Sequence, residues 1–584
     1  MSRKIIAAIT VFSLIGTSSV HALGVIGMVK DENNKPIAGV MIRVKSASAA
    51  ALITKVFTDE QGKFTVPDLG KNVQTKSIYA DAYKLGFSKI APASSALSDL
   101  APKVEGSFAR VDFILKPISN IASQVPASAW LQLAPETPER AQTVLTCTQC
   151  HQLPNERLKK FSANLAGLDE ATREEAWRGI IKAMRVSFYG ALQAEHATPP
   201  SPEILEMIAK PENNFIDQKD EDVVAVWLAK HMPTNFDAYD SGNKSRFANV
   251  ALGTNSKTLI REFQYPENSF VRETAVLDGK VWVCDIARNR IGTLDPNTGS
   301  YHWYDVPAAG APAPHTMVLD DRKNIWLTLL GGTGEMAAVF NPKTEKWRIY
   351  GGFPKGMGAH DFSQGPNYIM GFDKKDFTWM TAITHNQLIG FNRKTGKISP
   401  SYDMPMRTAD TPLHTAVYGG GMTSDKHVWF AQYNGVLGRF NTDKRKVDYT
   451  LDYGYGAGPH RMAVADNDII YVGLLGSGQI SIFDAKTLKE IKRVDLPDRS
   501  SGLYSLAWDP SRKAIWTATG NNNSIFKYDT ATSKFTEYPI EIKDFKIRMI
   551  AIDHENGDLW ITNSPIPNDE SDMRRVLVLH PGDR

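Results

Sequence analysis

Between residues 23 and about 117 the chain alternates apolar and polar positions in short runs separated by turn residues. "GVIGMVKDENNKPIAGVMIRVKS" does so around Asn33-Asn34-Lys35-Pro36, and "ITKVFTDEQGKFTVPDL" does so around Gln61-Gly62. Period-two runs of this length predict strands, and their spacing predicts a small β-sandwich. A small-residue linker follows over 118–135. The period then changes. "DEATREEAWRGIIKAMRVSF" sets Trp177, Ile180, Ile181 and Met184 at helical spacings behind an acidic first turn. "DQKDEDVVAVWLAKHMP" does the same with Val223, Val224, Trp227 and Leu228, and Pro233 stops it. Residues 136–237 are therefore predicted to be helical.

From about residue 250 short strands return, now in a repeat. Trp282, Trp326, Trp379, Trp429, Tyr471, Trp516 and Trp560 each lead toward a turn of the type seen in "LDPNT", "FNPKT", "FNRKT", "FNTDK", "FDAKT" and "YDTAT", the last copy being degraded. The aromatics are 44, 53, 50, 42, 45 and 44 residues apart. That period predicts a β-propeller over 250–584, and six intervals joining seven units predict seven blades. The expected fold is thus multidomain: a β-sandwich, an α-helical domain and a propeller.

Charge narrows the function classes. Arg3 and Lys4 precede the apolar run "IIAAITVFSLIG" and the small-residue stretch "TSSVHA", the pattern of a signal peptide over 1–22. The run is shorter than the roughly 20 residues that span a bilayer. Export to a periplasm is expected, with no transmembrane segment after cleavage. Of 67 basic and 64 acidic residues, 65 and 64 remain once Arg3 and Lys4 are removed, so there is no electrostatic case for nucleic acid.

The candidate chemistry starts in "TVLTCTQCHQLPNE". Cys147, Cys150 and His151 form Cys-x-x-Cys-His and hold two of the chain's three cysteines. A structural zinc site needs four ligands, and no second cysteine pair exists. A thioredoxin-like pair expects a βαβ setting, whereas the surroundings here are helical. Haem c attachment suits the pattern: two thioethers from the cysteines and His151 as the proximal iron ligand. The segment resembles the class I cytochrome c family. "WRGIIKAM" resembles that family's W-x-x-x-[VI]-x-x-M stretch, which implies Met184 as the distal ligand, with His196, Met207 and Met232 as the other candidates. A soluble electron donor or acceptor is the partner this implies.

Two further resemblances bear on the rest of the chain. Gly27, Val29, Asp31, Pro36, Gly39, Val40, Thr58, Asp59, Glu60, Gly62 and Phe64 match the carboxypeptidase regulatory-like pattern over about 90 residues, which implies folding or docking roles and no catalysis. The strands "IWLTLLGG", "VWFAQYNG", "IWTATGNNNSIFKYDT" and "LWITNSP" resemble the virginiamycin B lyase family of propellers, which implies a histidine base and magnesium at the channel. Histidines recur near the starts of the inner strands: His315, His360, His414 and His460. Ser505 and Met549, beside Arg548, are expected at the corresponding places of the last two blades, and Arg272 and Glu273 in the first. The four histidines suit a second metal, a general base, or an anionic small-molecule substrate aided by Arg461 and Arg548. The chain departs from the lyase pattern in that Arg461 and Met462 follow His460, leaving Glu335, His385 and Glu273 as the groups able to approach that end. Cys284 reads as a small buried residue without a role.

Three functions stand open on these grounds. One is an electron-transfer protein or oxidoreductase component that couples the haem to a substrate or partner at the propeller funnel. Another is a lyase acting on a cyclic ester. The third is a non-catalytic docking protein.

Overall fold

The computed structural model describes residues 24–67, 69–70, 73, 77–100, 102–194, 218–239, 253–310, 312–330, 335–351, 359–362, 370–406, 417–540, 545–566 and 574–583. The side chains of 183, 185–194, 218, 335–336, 359–362 and 384 lie outside that description. So does the expected signal peptide. No described helix is long and apolar enough to cross a membrane.

The chain is multidomain and mostly β. In the N-terminal section, Gly24–Asp31 lies between Phe113–Pro117 and Phe108–Arg110, and a second sheet runs Ile78–Tyr83, Met41–Ser46, Ile53–Phe57. The alternation read in the sequence places Val25, Val29, Val40, Ile42, Val44, Phe64 and Phe113 in one shared core.

The helical section begins at Ala127–Leu131 and continues through Pro138–Cys147, Glu156–Ala163, Glu170–Ala194 and Gln218–His231. Local capping sets the starts of these helices. Thr137 accepts from the Arg140 amide with Pro138 in the first turn, and Asn155 Oδ1 accepts from the Leu158 amide at 2.9 Å. Trp177, Ile181, Val224, Trp227, Leu228 and Met232 are buried together, with Cys147 and Met184 packed against them.

Six antiparallel four-stranded sheets follow as blades. Their innermost strands are Val271–Leu277, Pro314–Leu319, Ala359–Phe362, Val417–Met422, Pro459–Val464 and Leu503–Asp509. Each touches the next, and Ile547–Ile552 touches both Leu503–Asp509 and Val271–Leu277, which closes the ring. The repeat has a local cause. Asn341, Asn392, Asn441, Asp295, Asp484 and Asp529 each accept amide hydrogens two or three residues on, an Asx turn between the third and fourth strands. The aromatics fill the second strands, and Asp320, Asp373 and Asp509 accept the indole hydrogens of Trp326, Trp379 and Trp516 at 2.9, 3.2 and 3.0 Å.

The ring's remaining sector is shared. Ile547–Ile552, Leu559–Asn563, Arg575–His580 and Leu259–Gln264 hydrogen-bond in that order, and the sheet continues without a break into Ile53–Phe57, Met41–Ser46 and Ile78–Tyr83. The outer edge, which would otherwise present unpaired backbone groups, is thus covered by the N-terminal section. Lys55 and Glu262 form an ion pair at 2.7 Å across this junction, both almost fully buried.

Candidate functional site

Each innermost strand carries the same irregularity near its start. Register shifts fall between Val271 and Glu273, Pro314 and Met317, Ala359 and Asp361, Val417 and Gly420, Pro459 and Met462, Leu503 and Ser505, and Ile547 and Ile550. A bulge re-aims the extra residue and bends its strand. The second residue of each strand therefore occupies one ring position: Arg272, His315, His360, Tyr418, His460, Tyr504 and Arg548.

This corrects the expected ring in three sectors. Tyr418 takes the fourth position, and His414 lies outside the described residues. Tyr504 and Arg548 take the places assigned to Ser505 and Met549, because the hairpin joining the first two strands is one residue longer in these sectors. Ala507 and Ala551 pair with the blade aromatic nine residues on, where Val318, Gly421 and Ala463 pair eight residues on, so the count rises from 11 to 12. The backbone of His360 is at the expected position, and its side chain lies outside the description.

The ring residues bond to one another. Arg272 Nη1 donates to Glu273 Oε1 at 2.9 Å and lies 3.2 Å from His315 Nδ1, while its Nη2 donates to the phenol oxygens of Tyr418 and Tyr504, each at 3.2 Å. Arg461 Nη2 donates to Glu273 Oε1 at 2.7 Å. Arg548 Nη1 donates to Tyr504 Oη at 3.1 Å. The Tyr418 and Tyr504 hydroxyls share a short hydrogen bond. His460 Nδ1 donates to the Tyr504 carbonyl at 2.6 Å, so its Nε2 is the bare nitrogen that faces the Tyr433 hydroxyl at 3.1 Å. Burial, reinforced by Arg461, holds His460 well below the ordinary imidazole pKa, hence neutral. Both nitrogens are committed to protein groups. Among the described residues, no three His, Cys, Asp or Glu side chains gather as metal ligands would. His385 lies at the end of the short Ile383–His385 turn, whose Ile383 packs beside Tyr418 and Tyr504. Cys284 is fully buried, its thiol donating to the Pro314 carbonyl at 3.0 Å.

The mouth of this ring is covered by the Cys-x-x-Cys-His segment. Leu145 packs among Tyr418, Tyr433, Leu475 and Tyr504. Cys150 packs against Phe270, Ile286, Ala313 and Ile566 from other sectors. The loop carbonyls are held in sequence: Lys546 Nζ donates to Thr148 O, Arg548 Nη1 to Gln149 O at 2.6 Å, and the Ile566 amide to Cys150 O at 2.9 Å. Asn521 clamps the chain beyond the motif, its Oδ1 accepting from Leu153 N at 2.7 Å and its Nδ2 donating to Leu153 O at 3.1 Å. The approach is backbone-close. A Cβ on Gly476 would lie 2.5 Å from Ala141 O, and one on Gly502 would lie 2.6 Å from Thr148 Oγ1. The expected open funnel of four imidazoles is thus a closed seat, because the helix Pro138–Cys147 and its following loop fill the mouth.

His151 is 9 % exposed, and its Nδ1 meets the Gln152 carbonyl at 2.7 Å. That bond fixes Nδ1 as the donor and leaves Nε2 as the unprotonated nitrogen of the neutral ring. Cys147 and Cys150 are free thiols. Burial lifts the Cys147 thiol to about 12, with a smaller contribution from Cys150. Of the candidate distal ligands, Met184 and Met232 share the helical core with Cys147. His196 and Met207 lie outside the described residues.

Sequence reasoning missed Tyr418, Tyr504, Lys546 and Asn521. Tyr418 was findable, since it precedes Trp429 by the same 11 residues that separate His315 from Trp326 and His460 from Tyr471. Lys546 and Asn521 carry no spacing signal.

Fold and site together define a β-propeller whose channel mouth is closed by a cysteine–histidine loop from a helical section. No family model matches the chain, and no curated protein matches it. Solved structures similar to it include a catalytically inactive virginiamycin B lyase from Staphylococcus aureus with quinupristin, at 17% identity, over 55% of this chain and 99% of that one, with a TM-score of 0.45. A streptogramin B lyase structure is similar at 18% identity over 55% and 97%, again with a TM-score of 0.45. These likenesses carry no argument about substrate or reaction.

Proposed function

We propose that the chain is an exported haem c protein that passes single electrons and whose haem-binding loop is seated on its own propeller. The single observation that carries this reading is the state of His151 within that loop. Its Nδ1 is tethered to the Gln152 carbonyl, the outer-shell bond that orients a metal-binding imidazole and leaves Nε2 for the metal. Haem c, when bound, supplies a one-electron couple. Cys147 and Cys150 would hold it as thioethers, His151 would be the proximal ligand and Met184 the distal one. The sulfur and nitrogen donors present fit that group, and Cys147 and Met184 border one apolar core.

In this reading the propeller fixes the loop's position rather than presenting an open funnel. Three backbone carbonyls of the loop are bound by buried groups from the ring's last sector, which holds the loop rigid. We count that shared sector as the seventh blade, its outer strand contributed by Leu259–Gln264. A soluble donor or acceptor is the partner class.

The test is an absorption spectrum of protein matured in a host that attaches haem c, oxidised and reduced, with metal analysis. A sharp reduced α-band that survives denaturation and is lost in Cys147→Ala/Cys150→Ala supports the reading. Matured protein without covalent haem overturns it.

A further inference from the structure

Among the described side chains the buried ring holds three guanidiniums and one carboxylate, those of His360 and Asp361 lying outside the description. Arg272, Arg461 and Arg548 are 3, 4 and 4 % exposed. Glu273, fully buried, bonds to Arg272 and Arg461. Arg548 has no carboxylate partner among the described residues. Its hydrogen bonds go to the Ser564 and Gln149 carbonyls and to Tyr504 Oη. A guanidinium does not shed its proton in a protein, and a buried charge left uncompensated is strongly unfavourable. Of the groups bonded to Arg548, only Tyr504 can become an anion.

The structure assigns a negative charge beside Arg548 to Tyr504, held as a buried phenolate by Arg272, Arg548 and Tyr418. Three donors converge on its oxygen: Arg272 Nη2 at 3.2 Å, Arg548 Nη1 at 3.1 Å, and the Tyr418 hydroxyl through the short bond. Two guanidiniums bond to Tyr504 and one to Tyr418, so the proton between the phenols belongs to Tyr418. The acidities agree in direction. Burial pushes Tyr504 up, but Arg548, Arg272 and Arg461, aided by the Tyr418 hydrogen bond, outweigh it and bring it below the ordinary phenol value. Tyr418 moves the other way, raised by burial and then by the charge on Tyr504.

The other described groups that face Tyr504 do not supply the anion. His460 packs on the Tyr504 ring at 4.2 Å and is neutral. Lys546 Nζ lies 4.2 Å from the ring centroid, and burial followed by Arg548 pushes its pKa well down. Tyr433 is raised well above the phenol range by burial, so it stays protonated. Burial raises the Cys150 thiol, against the opposing pull of Arg548, Lys546 and Arg272. The channel mouth is thereby a proton-accepting site beneath the Cys-x-x-Cys-His loop. Protonating Tyr504 would leave Arg548 uncompensated against the Gln149 carbonyl. The assignment stands on the ring alone and holds whether or not the loop carries haem.

The experiment is carbon-13 NMR of the full chain labelled at the tyrosine ζ carbon, under reducing conditions and titrated through neutral pH. One resonance should sit in the phenolate region at neutral pH and move to the phenol region on acidification. It should be absent from Tyr504→Phe and kept in Tyr418→Phe, with its midpoint moved to higher pH. If Tyr504→Phe does not fold, the wild-type spectrum still decides whether a phenolate exists, and Tyr418→Phe with Tyr433→Phe excludes the alternatives. Spectra in which every tyrosine is a phenol at neutral pH, or a phenolate signal that survives Tyr504→Phe, would overturn the assignment.

Discussion

Replacing Lys55 with methionine tests whether the N-terminal section is an integral part of the propeller's closure. Lys55 sits on Ile53–Phe57, which pairs with Leu259–Gln264 through Lys55 opposite Ile260 and Ile53 opposite Glu262. Its ammonium is 2.7 Å from Glu262 Oε1 and also donates to the Ile540 carbonyl. Glu262 is reached besides by Arg575 Nε at 3.8 Å, the three side chains being 1–2 % exposed. Removing one partner of a buried pair leaves the other desolvated, which costs about 3–5 kcal/mol. At about 2 °C per kcal/mol for a unit this large, Tm should fall by about 6–10 °C. Calorimetry of Lys55→Met, Glu262→Gln and the double variant closes a double-mutant cycle. The coupling should be about 2 kcal/mol, in the range for contacting buried charges. Single-variant losses under about 1 kcal/mol, or a double variant equal to their sum, would refute the idea that this junction bears load between the two sections.

Burial raises Glu537 from 4.5 to about 7, with Asp498 adding and Ser524 opposing. The folded state therefore binds a proton that the unfolded state has released, and stability should fall between about pH 4.5 and 7. The loss is on the order of 2 kcal/mol after discounting for partial exposure. Urea midpoints at pH 5 and 8 read this directly, and Glu537→Gln should flatten the difference. Gly476→Val pushes a side chain into Ala141 O and should loosen the seat, which faster proteolysis near Thr148 would reveal. In matured protein, Met184→Ala should abolish the methionine-to-iron band of the oxidised spectrum. Retention of that band with its loss in Met232→Ala would transfer the distal role to Met232.

Much of the architecture was present in local patterns. The Asx turns at Asn341, Asn392 and Asn441 are short-range hydrogen bonds, so their residues recur visibly at every turn between outer strands. Trp177, Ile181, Val224 and Leu228 announce a helical core because one face of a helix repeats every three or four residues. The ring was legible only in part. His315 and His460 share a count to their blade aromatic, and Tyr418 has it too, but an imidazole attracts a functional reading that a phenol does not. Tyr504 was missed, and Arg548 was read one place off the ring, because the hairpin after each of those strands is one residue longer and no residue type there signals it.

The sequence by itself determined the three kinds of segment, the propeller period and the Cys-x-x-Cys-His motif, since each depends on residues near one another in the chain. Tertiary structure alone decided that this motif lies across the propeller's mouth, with Thr148, Gln149 and Cys150 bound by groups some 400 residues away. It alone decided that the sandwich continues the propeller's last sheet, and that Arg272, Arg461 and Arg548 meet Glu273 and a tyrosine pair. Those arrangements come from packing between distant segments, where backbone donors and buried charges must find partners across the fold, and no local period encodes them.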